Sequence, residues 1–300
     1  MMKLDGIAAF VAVAEEGSIS AAAKRLRLPK SVISERLAGL EKALGARLLH
    51  RTTRKLSLTE DGAAFRERAV RIVREVEEAG AALAERRGAL QGPLRIAAPV
   101  TFGHMHLGPA LYPFLAANPG IELILDLDDR RVSAAAEGYD AILRHGPIDD
   151  SRLVVWKLAP SRRRLVASPD YLARAGVPHS PDQLDAHRGV FYTNRGAADW
   201  RFIDADGEAA VVRGKAAFRA NNGTMVLHAA IAGLGIALLP TFIAGPAIRD
   251  GRLKLLDLGA EAEMEWIYLA HAEGRQPSAK LRALADCLRQ AFGDPPYWEI

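Results

Sequence analysis

The chain has 300 residues, about half of them hydrophobic, with one cysteine and a formal net charge of +4. This length predicts two or three domains, and the lack of any run of about 18 apolar residues excludes a helix that spans a bilayer. Because Cys287 stands alone, an intrachain disulfide and a thiolate metal site are excluded, and we expect a cytoplasmic protein.

Positive charge is concentrated in one short segment near the N-terminus. Residues 24–55 contain ten Lys or Arg and two acidic residues, whereas residues 93–300 contain 23 basic and 24 acidic residues. A local excess of this kind is typical of a surface that binds nucleic acid. The alternative is an ordinary solvated face of charged side chains.

Three helices are predicted near the N-terminus by apolar residues at helical spacing, over residues 4–14, 21–26 and 32–44. Ser18 or Ser20 can cap the second helix, and Ser31 can cap the third after the break at Leu28-Pro29. Two helices joined by a tight turn, the second rich in basic and polar side chains, form the helix-turn-helix pattern.

A hairpin and a long helix are predicted next. Short alternating runs at 48–49 and 56–58 flank a basic polar tip, which favours a β-hairpin wing. Thr59 or Asp61 can start a helix to about residue 88, with apolar residues that step by four and three as in a coiled coil. The alternative is a helix packed on its own domain. The apolar stripe along which two copies of this helix would pair, which we call the seam, consists of Phe65, Ala69, Ile72, Val76, Ala79 and Leu83.

The character of the chain changes at Gly92-Pro93, where strands begin to alternate with helices. Such alternation predicts mainly parallel sheets covered on both faces, and the length is sufficient for two lobes. The strands are predicted over 94–99, 121–127, 139–146, 153–160, 163–169, 189–193, 200–204, 209–213, 215–221, 235–240, 253–258 and 266–272. The helices are predicted over 101–117, 131–138, 224–233 and 278–292.

The segment GSISAAAKRLRLPKSVISERLAGLEKALGARLLHRTTRKLSLTEDG resembles the DNA-binding domain of LysR-type transcriptional regulators. The matching residues are Ala21 to Ala23, Leu26, Ser34, Leu40-Glu41, Leu44-Gly45, Leu48-Leu49, Arg51, Leu58-Thr59 and Gly62. The stretches GPLRIAAPVTFG, LAPSRRRLVASPDYL and AAIAGLGIALLP look like segments of the effector-binding domain of that family. The departure from the family at Ile19 should only repack the core, whereas Pro29 and Lys30 alter the leading edge of the recognition helix, so the preferred operator cannot be borrowed from relatives.

The resemblance implies an N-terminal all-α winged helix-turn-helix with a long linker helix, followed by an α/β domain of two lobes. That second domain is similar to type 2 periplasmic binding proteins, with a ligand cleft between its lobes. The implied divisions are a DNA-binding domain over 1–58, a linker helix and hinge over 59–92, and an effector-binding domain over 93–300. Lobe I is expected over about 93–161 and 267–300, and lobe II over about 162–266.

DNA contacts are expected from the third helix and from the wing. The N-terminal half of a recognition helix enters the major groove, where Lys and Arg donate to guanine and Glu35 can accept from cytosine. The basic tip of the wing suits phosphates or the minor groove. The expected DNA-binding residues are Lys30, Ser31, Ser34, Glu35, Arg36, Arg51, Thr52, Thr53 and Arg54.

Two segments predict a ligand site, one at Thr101 and the other at Asn222-Gly223-Thr224. Each of them follows a predicted strand and opens a predicted helix. Free amides at helix starts bind anions, and the alternative is that Thr101 and Asn222 are only N-caps. The resemblance implies a small organic effector, often a carboxylate, between the lobes near these segments, and no other cofactor. The expected effector-binding residues are Val100, Thr101, Arg144, His145, Gly146, Tyr192, Asn222 and Thr224.

No motif in the chain predicts an enzyme or a metal site. His104-Met105-His106 lacks further ligands, and Gly233-Leu234-Gly235 follows a helix, which is the reverse of a dinucleotide-binding order. We therefore expect a sequence-specific regulator that is not an enzyme. Its expected partners are promoter DNA, itself as a dimer or a dimer-of-dimers tetramer, a small effector and RNA polymerase, with no membrane. The alternative is a solute-binding or catalytic α/β protein with an accessory domain that resembles a DNA-binding one.

Overall fold

The computed structural model describes residues 2–51, 56–85, 90–130, 137–148, 150–195, 200–203, 209–212, 214–273 and 277–299. The chain divides into two compact units, Met1–Gly92 and Pro93–Ile300. Each unit has buried hydrophobic clusters of its own.

The first unit contains the three helices, the hairpin and the long helix that the sequence predicts. They are α1 Leu4–Glu16, α2 Ile19–Arg25, α3 Lys30–Leu44, β1 Leu49–Arg51, β2 Leu56–Leu58 and α4 Glu60–Glu85. Phe10, Ile33 and Leu37 are completely buried where α1 packs against α3. The helix-turn-helix is therefore held by the apolar faces that the helical spacing indicated.

Helix starts in this unit differ from one another in how they are capped. Ser18 caps α2, because its side chain accepts hydrogen bonds from the backbone N–H groups of Ser20 and Ala21. The prediction that Ser31 caps α3 is wrong. The helix begins at Lys30 after Pro29, which supplies the extended residue before the first turn and has no capping side chain, so Ser31 lies inside the helix.

The wing is attached to the helices by two specific contacts. The Glu41 side chain accepts hydrogen bonds from the N–H groups of Leu48 and Leu49, at 2.9 and 3.3 Å. Gly62, in the first turn of α4, is pressed against the same segment, and a Cβ atom built there would lie 2.0 Å from the Leu48 carbonyl oxygen. Any side chain at Gly62 would displace the wing from α4.

The second unit is built on two five-stranded sheets. The first has the order β4-β3-β5-β15-β6 and the second the order β11-β8-β12-β7-β13. The strands of the first sheet are β3 Gly92–Ala98, β4 Ile121–Leu127, β5 Ala141–His145, β6 Leu153–Ser161 and β15 Glu265–Ala272. Those of the second are β7 Arg163–Ala167, β8 Arg188–Tyr192, β11 Lys215–Ala220, β12 Ile236–Pro240 and β13 Lys254–Leu255.

Helices and a small third sheet complete the unit. The helices are α5 Val100–Phe102, a π-helical turn Gly103–Leu107, α6 Gly108–Ala117, α7 Pro169–Ala175, α8 Gly223–Ile231, α9 Thr241–Arg249 and α10 Ala279–Phe292. Short 3-10 turns span Pro181–Ala186 and Thr193–Arg195. The third sheet joins β9 Trp200–Ile203, β10 Ala209–Val212 and β14 Glu261–Ala262. We refer to the first sheet with α5, α6 and α10 as lobe I, and to the second sheet with α7, α8 and α9 as lobe II.

The sheets are mixed, so the prediction of mainly parallel sheets is wrong. β15 runs antiparallel to both β5 and β6, and β12 runs antiparallel to β7. The chain leaves lobe I after β6, builds lobe II, and returns along β15. A chain that crosses between lobes in both directions brings strands of opposite direction into each sheet.

The predicted elements and the structure do not agree everywhere. Helix α9 was not predicted, because nearly all of its face is buried and its sequence shows no polar stripe. The strand predicted over 253–258 shortens to Lys254–Leu255. Most of the helix predicted over 131–138 falls on residues 131–136, outside the described residues.

Among the described residues, no single helix is long and apolar enough to cross a membrane. Helices α1 and α2 taken together have the length and the apolar composition of a membrane span, but the chain bends by 118° between them.

Candidate DNA-binding surface and effector cleft

Helix α3 presents a polar face on the side opposite its buried stripe. Ile33, Leu37 and Leu40 face the core, whereas Lys30, Ser31 and Glu35 are exposed and Ser34 and Arg36 are half-buried. Residues three and four apart share one face of a helix. Ser31, Ser34 and Glu35 therefore lie side by side on a face with donors and acceptors for base edges.

Arg36 makes an ion pair that the sequence did not suggest. Its Nη2 atom lies 3.1 Å from Oδ2 of Asp5 on α1, with 30 % of the Arg36 side chain and 68 % of the Asp5 side chain exposed. Exposed pairs of this kind are worth about 0–1 kcal/mol. Arg36 can therefore exchange Asp5 for a DNA group at little cost.

The wing is a two-stranded antiparallel hairpin. Leu49 pairs with Leu58, His50 with Ser57, and the Arg51 backbone with Leu56. The hairpin predicted for the wing is therefore present over the paired residues 49–51 and 56–58. Thr52, Thr53 and Arg54 themselves lie outside the described residues.

The seam of α4 divides into a covered half and an open half. Ala69 is buried, and Phe65 and Ile72 pack against the core of the same unit, with the Phe65 ring 5.6 Å from the Phe10 ring. Val76 is 47 % exposed, and Ala79 is exposed as well. The Leu83 side chain lies outside the described residues. The apolar stripe thus leaves its own domain at about Val76 and continues into solvent.

A cavity of about 960 Å³ lies between lobe I and lobe II. Five of the predicted effector-binding residues line it, namely Thr101, Arg144, His145, Gly146 and Tyr192. The other three predicted residues do not line the cavity themselves but are next in sequence to residues that do. Val100 precedes Thr101, and Asn222 and Thr224 lie on either side of Gly223. The structure thus brings the predicted residues from both lobes to one place.

Thr101 and Thr224 meet directly across the cleft. The Thr101 hydroxyl oxygen accepts a hydrogen bond from the Thr224 N–H at 3.2 Å and lies 3.2 Å from the Thr224 hydroxyl. Thr101 is 5 % exposed. The idea that Thr101 is an N-cap is wrong, because helix α5 begins at Val100 after Pro99.

Asn222 caps its helix and also reaches lobe I. Its Oδ1 accepts a hydrogen bond from the Met225 N–H, and its Nδ2 donates to Asp129 Oδ2 at 2.9 Å. Asp129 Oδ1 accepts from the Val100 N–H at 3.0 Å. Of the backbone amides at these helix starts, those of Val100, Thr224 and Met225 already have acceptors within the protein, and for these three the expectation of unpaired N–H groups is wrong.

Charged side chains line the opposite wall of the cleft. Glu265, 8 % exposed at the start of β15, lies 3.1 Å from His145 Nε2 and 3.3 Å from Arg163 Nη2. Arg144 donates from Nη1 to the Arg130 carbonyl oxygen at 3.1 Å. The buried Glu265 carboxylate thus has the Arg163 guanidinium and the His145 ring beside it, and buried charges need such partners.

The residues of the cleft that sequence reasoning missed include Asp129, Arg163, Asn194 and Glu265. One signal was available, since Asp128 and Asp129 directly follow a strand, and ligands of open α/β sheets lie beyond the carboxyl ends of strands. Glu265 gave no such signal. It is the first residue of an apolar strand, and only the pairing of β15 with β5 and β6 brings it to the cleft.

His106 lies behind the cleft in an aromatic cluster and is unsuited to hold a metal ion. Its Nε2 donates to the Phe242 carbonyl oxygen at 2.9 Å, so its Nδ1 accepts from the Tyr297 hydroxyl at 2.7 Å. Burial lowers the pKa of His106. Among the described residues, no group of three or more His, Cys, Asp or Glu side chains is arranged to hold a metal ion.

Comparison with protein families decides what this architecture is. Residues 4–63 match the model of the bacterial regulatory helix-turn-helix protein of the lysR family, and residues 87–293 match the LysR substrate binding domain. The chain belongs to the LysR family. The resemblance seen in the sequence is confirmed, as are the N-terminal helix-turn-helix and the C-terminal α/β domain.

Curated relatives of this LysR-family protein are named as transcriptional regulators. An HTH-type transcriptional regulator of Xanthomonas campestris pv. campestris is 36 % identical over 93 % of this chain and 82 % of the relative. The HTH-type transcriptional regulator CrgA of Neisseria meningitidis serogroup C is 34 % identical over 95 % of each chain.

Solved structures of full-length LysR-type regulators have the same fold. The Vibrio cholerae virulence activator AphB matches with a TM-score of 0.60 and 28 % identity over 96 % of this chain and 98 % of that one. CrgA from Neisseria meningitidis matches with a TM-score of 0.60 and 31 % identity over 95 % and 98 %.

This LysR-type protein is therefore a DNA-binding transcriptional regulator with a domain for a small-molecule effector. Members of the family bind promoter DNA and small effectors, and they form oligomers. The alternative of a solute-binding or catalytic protein finds no support among these relatives.

Proposed function

We propose that this regulator responds to a small anionic or strongly polar effector bound between lobe I and lobe II. The observation that carries the proposal is the cavity of about 960 Å³, into which polar groups of both lobes converge. A ligand that contacts both lobes stabilises their closed arrangement, and only a difference in affinity between two arrangements shifts the population of either. Effector binding would thereby favour one placement of the DNA-binding domains.

The proposed effector contacts come from three groups of residues. Thr101 and Thr224 supply hydroxyl groups, and Asn222 supplies an amide, at the junction of α5 with α8. Arg144 and His145 supply cationic or donor groups from β5, next to Gly146. Val100 and Tyr192 complete the set, with Tyr192 and the neighbouring Phe191 as an aromatic wall for the ligand body.

DNA recognition is proposed to be divided between α3 and the wing. Ser31, Ser34 and Glu35, with Lys30 and Arg36, face outward from α3 and suit base edges of the major groove. Arg51 and the tip residues Thr52, Thr53 and Arg54 are proposed to contact phosphates.

The proposed assembly is a homotetramer in which α4 helices pair through Val76, Ala79 and Leu83. Dimers of this kind would associate further through the effector-binding domains. The divisions 1–58, 59–92 and 93–300, with lobe I over 93–161 and 267–300 and lobe II over 162–266, remain proposals. We further propose a cytoplasmic protein, without enzymatic activity, that contacts RNA polymerase at its promoters.

The experiment that tests this function combines DNA and ligand. The purified protein is titrated with a duplex of the intergenic region beside its own gene, and small carboxylates are screened by thermal shift. A ligand at 100 times its dissociation constant adds about 2.7 kcal/mol to the free energy of unfolding. The expected result is a hit that also changes operator affinity.

Thr101→Val tests where that ligand binds, because it keeps the volume of Thr101 and removes its hydroxyl. It should weaken the effector response at least tenfold and leave operator binding without effector intact. Ser180→Ala, which removes a hydroxyl before the 3-10 turn of lobe II, is the matched control. A wild-type response in a Thr101→Val, Asn222→Ala double variant would place the effector elsewhere.

A further inference from the structure

The loop after β4 places two carboxylates, those of Asp128 and Asp129, at the effector cleft, and only Asp129 bridges to lobe II. Asp129 Oδ1 accepts the Val100 N–H of lobe I at 3.0 Å, and Asp129 Oδ2 accepts the Asn222 side-chain amide of lobe II at 2.9 Å. The Asp129 carbonyl oxygen also accepts a hydrogen bond from the Asn194 side chain of lobe II. A single residue thus joins both lobes at the edge of the cavity.

These partners are the ones that an effector carboxylate would need. The first N–H of a helix and a side-chain amide donate to Asp129 from two directions, and backbone N–H groups at helix starts favour negative charge. Each of these hydrogens can serve one acceptor well. As long as Asp129 keeps them, a ligand carboxylate cannot use them.

We propose that Asp129 is a specificity-determining residue of the cleft, an internal carboxylate that holds the anion donors and that an acidic effector displaces. This inference rests on the proposed function of the cleft and adds a property of the ligand. When the effector carboxylate replaces that of Asp129, the number of hydrogen bonds made by the donors of the cleft stays nearly the same. A bare anion therefore gains little, whereas an acid with an aromatic or aliphatic body gains from burial against the apolar wall.

The simpler alternative is that Asp129 only caps α5. Pro99 precedes that helix and offers no capping side chain, so a remote cap has a structural use. One oxygen is sufficient for this task, but the second oxygen and the carbonyl group of Asp129 both bind lobe II. Asp128 provides the contrast, because its carboxylate accepts hydrogen bonds from Arg130 two residues away in the same loop.

Displacement of Asp129 would couple ligand chemistry to the contact between lobes. The hydrogen bonds to Asn194 and Asn222 hold the loop after β4 against lobe II in the absence of ligand. An acid that takes over the Val100 and Asn222 donors releases this loop. The contact between Thr101 and Thr224 remains available to close around the ligand.

Hydrogen exchange of the ligand-free full-length protein tests the internal contact without any effector. In Asp129→Ala, peptides that contain Val100 and Asn222 should exchange at least tenfold faster than in the wild-type protein. Asp129→Asn keeps the shape but retains only one acceptor oxygen, so it sets a donor against either the Val100 N–H or the Asn222 amide and should raise exchange in at least one of the two peptides. Asp128→Ala should exchange at the wild-type rate in both peptides. Wild-type exchange in both Asp129 variants would overturn the inference, whatever the operator assays show.

Calorimetric titration with benzoate, and with benzamide as its neutral analogue, tests displacement. Benzoate should bind Asp129→Ala at least tenfold more tightly than the wild-type protein or Asp128→Ala, and benzamide should show no such gain. Equal or weaker benzoate binding by Asp129→Ala would overturn the inference, and so would the failure of every variant to bind benzoate. Loss of operator binding or of the effector response would instead count against the proposed function.

Discussion

Single side chains decide how the helix-turn-helix meets DNA. Arg36 is tied to Asp5 by an exposed ion pair, whereas Ser34 lies half-buried between Ser31 and Glu35 on the outer face of α3. A hydroxyl on this outer face is well placed for a base edge. Long basic side chains at a hairpin tip are better suited to phosphates, which carry no sequence information.

Ser34→Ala should therefore relax base preference, with about 1–3 kcal/mol lost per good base contact. Arg54→Ala should weaken binding to all sequences and reduce the salt slope by about 0.9 per lost phosphate contact. Titrations of operator and scrambled duplexes at several salt concentrations measure both quantities. Equal losses on the two duplexes from both variants would contradict this division.

His106 should make stability depend on pH. Burial lowers its pKa in the folded protein below the ordinary value of about 6.5. As the pH falls through about 6.5, the unfolded chain takes up a proton that the folded protein resists, so the free energy of unfolding decreases. The decrease stops below the folded pKa, where both states are protonated.

His106→Gln should flatten this dependence, because it removes the titrating ring between Tyr297 and Phe242. His104→Gln, at an exposed position of the same π-helical segment, is the control and should keep the wild-type slope. Burial also lowers the pKa of His187, which contributes equally to all three proteins. Urea unfolding from about pH 5 to about pH 7.5 measures the slopes. Parallel curves for wild type and His106→Gln would refute the assignment.

At the scale of elements, α4 has two roles along one stripe. Its first turns pack on their own domain through Ala69 and Ile72, and its apolar face becomes exposed from Val76 onward. A substitution at Ile72 would therefore disturb folding as well as pairing. Val76 is the position at which pairing can be tested alone.

Val76→Asp should dissociate the α4 pair and abolish operator binding, since a charge in a coiled-coil seam loses its solvation on pairing. Ala64→Asp, exposed on the same helix outside the stripe, should keep assembly. Light scattering gives the mass, and footprinting gives operator occupancy. Wild-type mass for Val76→Asp would show that the seam is not the dimer contact.

The whole molecule has two units with separate cores, which predicts separate responses to two ligands. Calorimetry of the full-length protein should show two unfolding transitions. Operator duplex should raise the transition of residues 1–92, and a bound carboxylate should raise that of residues 93–300, because each ligand stabilises the unit that binds it. One transition that moves as a whole with either ligand would contradict independent units.

The sequence by itself determined the family and most of the helices and strands, and it showed the apolar stripe of α4. These features are local, since a spacing of three and four or a serine before a helix acts over a few residues. Fixed spacings around Leu40-Glu41 and Gly62 reflect contacts among neighbouring elements, such as the Glu41 bonds to the wing. The same locality explains why Thr101 and Asn222 could be placed near a ligand cleft.

Only the tertiary structure decided which side chains meet at that cleft. Asp129 meets Asn222 93 residues away, and Glu265 meets His145 through strand pairing that no spacing reveals. Helix α9 stayed hidden because a fully buried helix has no polar stripe. The Val100, Thr224 and Met225 amides, which lie at helix starts expected to be free for a ligand, are paired within the chain. Polar groups that are buried together find partners in each other.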